Sequence, residues 1–305
     1  MPSLFRFLSI LCMAVLTLSA CTEAGKGLES ARKGMAAYRQ GDYRKAFPLL
    51  EEAAGAGHPE AAWYVGNLYR EGQGVEKNPG MACRRFLDAA RRGVNQAFLP
   101  TAVCFRTGGE GFRADEVKAL QWGEKAAKAA GESGQNPEEE RTLAMLLGDL
   151  YFAGQGILHD YASAARWYEK AALLGDGKAQ GILAFLAYAG KGMTADPEKA
   201  RYWAEQAAKQ DDDMGELVLG LLNQYREKPD VEQAVYWYKR ASVHKNYAAQ
   251  RQLANLYEKG IGVAPDVEKA RYYYREAALN GRRDYLTREL EAFETRQETK
   301  SSAVQ

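Results

Sequence analysis

The sequence predicts an all-α chain: an α-solenoid of about seven helix-turn-helix units closed by a C-terminal capping helix. Three observations carry this. Apolar residues recur at helical spacing from about Leu28 almost to the C-terminus. Seven times an Asp or Asn stands four residues before an Ala: Asp42, Asn78, Asp115, Asp160, Asp196, Asp230 and Asp266, before Ala46, Ala82, Ala119, Ala164, Ala200, Ala234 and Ala270. The intervals between those seven residues are 36, 37, 45, 36, 34 and 36, the period of stacked two-helix repeats.

Taken in order, residues 1–20 stand apart. Arg6, the apolar run Phe7 to Leu18 and the small residues Ser19 and Ala20 have the layout of a secretory signal, and the run is too short for a comfortable membrane span. Small residues directly before Cys21 are similar to the lipobox of bacterial lipoproteins. That resemblance implies that Cys21 becomes the acylated first residue of the mature chain; an ordinary signal peptide containing a cysteine is the alternative. Thr22 is not the aspartate that retains such proteins at the inner membrane. The resemblance therefore implies a palmitate-type anchor in the outer membrane, with the chain facing the periplasm. Two or three acyl chains hold stably where a single one does not. Residues 21–27 then read as a lipidated tether, 28–298 as the solenoid and 299–305 as a disordered tail.

Each second helix of a unit is predicted to start the same way. Asp and Asn are preferred N-caps because a side-chain oxygen accepts from the free N–H groups of the first turn. Pro79 and Pro197 follow their caps at the first helical position, where a missing N–H does no harm. Three residues past the alanine lie Leu49, Trp122, Trp167, Trp203, Trp237 and Tyr273, with Arg85 breaking the set beside Phe86. Small pairs follow, such as Ala53-Ala54, Ala89-Ala90 and Ala171-Ala172. Large and small residues thereby share one helix face, the aromatic filling space while the small pair lets a neighbour approach.

The motif Gly66-x-Leu68-Tyr69-x-x-Gly72-x-Gly74-Val75, with Ala82 and Ala89-Ala90 after it, resembles the Sel1-like repeat, a longer-looped relative of the tetratricopeptide repeat. Gly148 to Gly156 and Leu256 to Gly262 match it closely, and Leu186 to Gly192 less fully. Three departures are visible: only Gly41-Asp42 separates the first two helices, the polar stretch Gly131 to Arg141 lengthens the third unit, and Asp211-Asp212-Asp213 replaces a glycine-rich break. Leu286, Leu290 and Phe293 on one side of a charged helix predict the cap.

No catalytic constellation is legible. His58, His159 and His244 fall in different units and share no ligand spacing. No GxSxG, phosphate loop or HExxH occurs, and the recurring glycine pairs read as turns needing positive φ. No enzyme activity, cofactor or metal is expected. With 41 Lys and Arg against 40 Asp and Glu, and a balanced mature chain once Arg6 is removed, charge gives no case for nucleic acid. Cys83 and Cys104 lack CxxC spacing and lie on neighbouring predicted helices, so a disulfide and two buried thiols are both open.

Transferring the register of tetratricopeptide-like units, whose first helices line a concave groove, implies a partner-binding surface. It begins with Met35 and Tyr38, continues through Trp63, Asn67 and Arg70 to Val103 and Arg106, and passes Met145, Asp149, Phe152, Phe185, Tyr188 and Leu221, so that its middle is mostly apolar and aromatic. Gln224, Asn255 and Glu258 complete it. Some of these aromatics are equally suited to packing between units. The resemblance to Sel1-like lipoproteins, among them an alginate-export scaffold, implies a periplasmic scaffold binding envelope proteins or peptides, with exopolysaccharide export as one context. The alternative is a cell-wall accessory factor that binds peptidoglycan or glycan or regulates a peptidoglycan enzyme.

Overall fold

The computed structural model describes residues 25–133, 136–154 and 159–302. The signal segment, Cys21 and the turn glycine Gly156 lie outside the described residues. The described chain is a succession of helix pairs, as predicted. They are α1 (residues 25–39) with α2 (Tyr43–Gly55), α3 (Pro59–Glu71) with α4 (Pro79–Arg91), and α5 (Phe98–Thr107) with α6 (Glu116–Ser133). Then come α7 (Pro137–Ala153) with α8 (Tyr161–Leu173), α9 (Gly177–Ala189) with α10 (Pro197–Ala208), α11 (Asp213–Gln224) with α12 (Val231–Val243), and α13 (Tyr247–Lys259) with α14 (Val267–Gly281). Helix α15 (Asp284–Ser302) follows. Among the described residues the sole β feature is an isolated bridge between Gly109 and Phe112, and no described helix is long and apolar enough to cross a membrane.

The helices fall into two compact bodies, α1–α6 and α7–α15.

All seven predicted caps form. The side chains of Asp42, Asn78, Asp115, Asp160, Asp196, Asp230 and Asp266 accept from the backbone N–H three residues on, at 2.8–3.2 Å. The alanine four residues on is buried every time and donates to the cap's carbonyl at 2.9–3.0 Å. Each cap has a third bond: its own N–H donates back to a carbonyl near the end of the preceding helix, as Asn78 does to Tyr69 and Asp266 to Tyr257. Four first helices have side-chain caps that the sequence reading did not assign, from His58, Asp176, Asp212 and Asn246.

In most pairs the packing differs from the expectation by one residue. Trp122, Trp167, Trp237 and Tyr273, expected to fill the core, are half-buried, and only Trp203 is buried. The fully buried side chains stand one position later: Leu50, Phe86, Tyr168 and Tyr238, with Tyr274 nearly so. Phe86 is thus not a stand-in for Arg85 but the regular occupant, and Arg85 pairs with Glu51 instead. Room for the rings comes from glycines within the first helices. A Cβ on Gly66, Gly148 or Gly220 would lie 2.6, 2.8 and 2.3 Å from the rings of Phe86, Tyr168 and Tyr238. A helical glycine costs about 1 kcal/mol against alanine, and here that cost admits a whole aromatic ring to the interface.

Of the loop glycines, Gly74 and Gly192 have φ of 72° and 73°, as the turn reading required. They also touch the preceding repeat: a Cβ there would come 2.3 Å from the Tyr43 carbonyl and 2.1 Å from that of Tyr161.

Boundaries were less legible than pairings. Residues 25–27, assigned to the tether, are already helical, and α15 runs to Ser302, past the expected start of a frayed tail. The polar stretch after Gly131 is largely the end of α6 and the start of α7. Leu286 and Phe293 of α15 are buried, with Leu290 packed beside them, as a terminal cap requires.

Gly220→Ala tests the glycine–ring fit. Overpacking against Tyr238 costs about 1–3 kcal/mol, which outweighs the roughly 1 kcal/mol gained in helix propensity. The variant is expected to melt lower, and Tyr238→Leu in the same chain should recover part of the loss.

Candidate functional site

The expected groove positions lie on the first helices, and the structure uses most of them twice. In the second body, Met145, Phe152, Phe185 and Tyr188 are half-buried and border a single apolar cluster built around Tyr168, Leu183 and Leu186. Phe152 meets Tyr161 and Tyr168 edge-on, with centroids 5.5 and 6.2 Å apart. Leu221 is also half-buried but packs on the neighbouring cluster around Tyr238 and Leu253. The Lys191 ammonium lies 5.8 Å from the Phe185 ring and 5.4 Å from that of Tyr161.

Polar groove positions are held by tyrosines from the second helices. Passing its glycine, Tyr168 donates to Asp149 at 2.8 Å, and Tyr238 likewise donates to Gln224 at 2.6 Å. Tyr274 donates to Glu258 at 2.8 Å and Asn255 at 3.2 Å, while Arg296 of α15 donates to the same Glu258 at 2.9 Å. Burial pushes the hydroxyls of Tyr188, Tyr238 and Tyr274 above the ordinary tyrosine value. They remain neutral donors at physiological pH. Asp149 is therefore a structural acceptor as well as a groove residue. Tyr225, which is not among the expected groove positions, closes α11 at 60 % exposure.

In the first body Trp63 is half-buried, edge-on to Tyr64 at 4.8 Å. Arg70 is exposed, paired with Glu71 at 2.8 Å and 5.6 Å from the Phe86 centroid. Arg106 is a strut, its guanidinium 2.7 Å from Glu116 at the start of α6. Cys83 and Cys104 form a disulfide that joins α4 to α5, with Cα atoms 5.6 Å apart.

The same body has a cleft that was not expected from the sequence. Two adjoining hollows of about 630 and 600 Å³ run along α6 and share Arg91, Trp122, Lys125 and Lys128. Phe98 and Phe105 supply apolar walls, and Lys118 brings the cations to four against Glu124. The Lys125 ammonium sits 4.2 Å from the Trp122 centroid. Gly123, beside Trp122, stands where α4, α8, α12 and α14 carry a buried ring. Among the described residues no group of three or more His, Cys, Asp or Glu could hold a metal.

The family model for the Sel1 repeat matches seven segments: 33–58, 59–93, 101–130, 144–176, 178–212, 215–242 and 248–281. The crystal structure of a Sel1 repeat protein from Oxalobacter formigenes is 28 % identical, covering 81 % of this chain and 96 % of that one with a TM-score of 0.56. The chitin synthase regulator SKT5 of Saccharomyces cerevisiae is 31 % identical over 140 residues, 45 % of this chain and 19 % of that protein. The exopolysaccharide production negative regulator of Rhizobium meliloti is 27 % identical over 161 residues, 49 % of this chain and 57 % of that protein. The chain thus spans less than two-thirds of the length of either relative.

Removing the bridge by Cys83→Ala with Cys104→Ala is expected to cost about 2–4 kcal/mol, since it closes a loop of moderate length. Thermal melts with and without reductant check this: reductant should lower the midpoint of the parent chain and leave the double variant unmoved.

Proposed function

The chain belongs to the Sel1 repeat family, and on that premise we propose that it is a protein-binding scaffold of the cell envelope. In this reading it is an outer-membrane lipoprotein, acylated at Cys21, with its repeats in the periplasm. It holds partner proteins or peptides and carries out no reaction of its own. The observation that supports this most is the strip of half-buried apolar side chains, Met145, Phe152, Phe185 and Tyr188, on neighbouring first helices with Tyr225 exposed nearby. Their outer surfaces offer aromatic area at low entropic cost, the kind that anchors interfaces. The cleft along α6 adds specificity, since its cations favour an acidic segment of the partner. One relative is named a chitin synthase regulator and another an exopolysaccharide production negative regulator, which favours polysaccharide production as the context.

A second reading, direct binding of cell-wall glycan, is favoured by a specific feature. Tyr202, Tyr236 and Tyr272 occupy the same register on α10, α12 and α14 and are 56, 51 and 56 % exposed. Each stands edge-on to the aromatic residue after it, at 4.9–5.1 Å. A periodic row of half-exposed rings suits stacking on successive sugars.

Three measurements test these readings. Cys21→Ser should move the protein from the membrane to the soluble fraction with its melting unchanged; unchanged fractionation would remove the lipid anchor from the proposal. A photo-crosslinking residue at Tyr188 or Lys125 in whole cells should trap one defined envelope protein, whereas the same residue at Glu205 should not. If purified protein instead sediments with insoluble peptidoglycan, and alanine at Tyr202, Tyr236 and Tyr272 together abolishes this, the glycan reading replaces the scaffold.

A further inference from the structure

Where a first helix begins against the end of the preceding second helix, two repeats make the same polar rung. Gln180, fourth residue of α9, donates to the Ala172 carbonyl at 3.1 Å and accepts from Gln210 at 2.9 Å. Gln250, fourth residue of α13, donates to the Ser242 carbonyl at 3.4 Å and accepts from Asn280 at 3.1 Å. Both glutamines are buried and neutral. The repeat between them breaks the rule. The fourth residue of α11 is Glu216, the counterpart of Gln210 and Asn280 is His244, and the carbonyl eight residues back belongs to Ala208.

Glu216 is 0 % exposed, and neither carboxylate oxygen has a hydrogen-bond donor. Arg240 of α12 lies 2.7 Å from one oxygen but is not aligned as a hydrogen bond, and His244 Nε2 is 4.0 Å from the other. Arg240 is also shared: it donates to Asp211 at 2.7 Å and reaches the Ala208 carbonyl at 3.4 Å, where a glutamine at position 216 would donate. Asp211 and Asp212 face the site from the preceding turn, and Lys178 of α9 acts on Asp212. Asp213 is bonded by Asn246. An ionised Glu216 therefore adds a fourth carboxylate to a corner with two permanent cations and cannot donate to Ala208. A neutral carboxyl has one O–H, the donor that Gln180 and Gln250 supply from this position and an ionised Glu216 does not.

We propose that the sixth repeat contains an acid-responsive joint, in which protonated Glu216 completes the rung made elsewhere by Gln180 and Gln250, and ionised Glu216 leaves the α10–α11–α12 corner looser. The direction of titration agrees. Burial raises the Glu216 carboxyl above its ordinary 4.5, and burial raises Asp212 from 3.8 to about 6. Groups whose folded value is raised contribute stability that is complete below the unfolded value and lost as pH climbs through the folded one. The joint should tighten as pH falls from 7.5 towards 5. Asp160 and Asp266, whose values are lowered by hydrogen bonds, titrate below this window and oppose it only in stronger acid.

The mature chain, followed by hydrogen exchange and thermal melting at pH 5 and 7.5, tests the joint. In the parent, α10–α12 peptides should be several-fold better protected at pH 5 than at 7.5 after correction for intrinsic rates, with α13–α14 unchanged. Glu216→Gln should abolish that difference and raise the pH 7.5 midpoint by about 2–4 °C, the change for roughly 1 kcal/mol in a domain of this size. Arg240→Gln should lower protection of the corner more at pH 7.5 than at pH 5. Lower protection in Glu216→Gln at pH 7.5 would overturn the proposal and make Glu216 an ordinary ion-pair partner of Arg240. So would a pH response that survives Glu216→Gln and disappears in Asp212→Asn.

Discussion

The three-way bond of the cap residue is the constraint on which the rest depends. In every repeat one Asp or Asn accepts from the first turn of the helix it opens, offers its carbonyl to a buried alanine, and donates its N–H to the helix before it. The angle between the two helices of a pair is thereby set by one residue. A short side chain whose acceptor oxygen lies three bonds from Cα, as in Asp and Asn, reaches the N–H groups of the first turn while its own backbone stays outside the helix. Six of the seven bear a carboxylate, and favourable bonding holds Asp115, Asp160 and Asp266 below the ordinary aspartate value. That chemistry is occupied, so these acids are unavailable for catalysis.

With the pair fixed, a second constraint concerns volume. A glycine on the first helix faces a ring on the second at Gly66, Gly148 and Gly220. At other units the sizes change together: Ala184 stands opposite Ala204, and Ala102 opposite Gly123. In the first body the disulfide between Cys83 and Cys104 adds a covalent tie between α4 and α5.

The face assigned to partners is less free than an open groove suggests. Tyr168 and Tyr238 reach past their glycines to bond Asp149 and Gln224, so the same positions stabilise the pair and present a surface. Such coupling makes the surface rigid, which lowers the ordering cost of binding. It also means that a substitution there changes the stability of the pair, as Phe152, packed on two tyrosines, illustrates.

The sequence by itself determined the number of repeats, the seven caps, the helical turns with left-handed glycines and the terminal cap around Phe293, because these rest on local bonds within a few residues. It also placed Met145, Phe152, Phe185 and Tyr188 on one side, since helical periodicity is local. Tertiary structure decided the remainder. Which of Trp167 and Tyr168 enters the core depends on whether the facing helix offers Gly148, a partner some twenty positions away. Whether Cys83 and Cys104 meet, whether Arg106 is free or tied to Glu116, and whether Glu216 finds a donor are likewise questions of which helix ends converge. Periodicity within one helix carries no information about the residue across the interface, and that residue selects what is buried, what is bonded and what remains to bind.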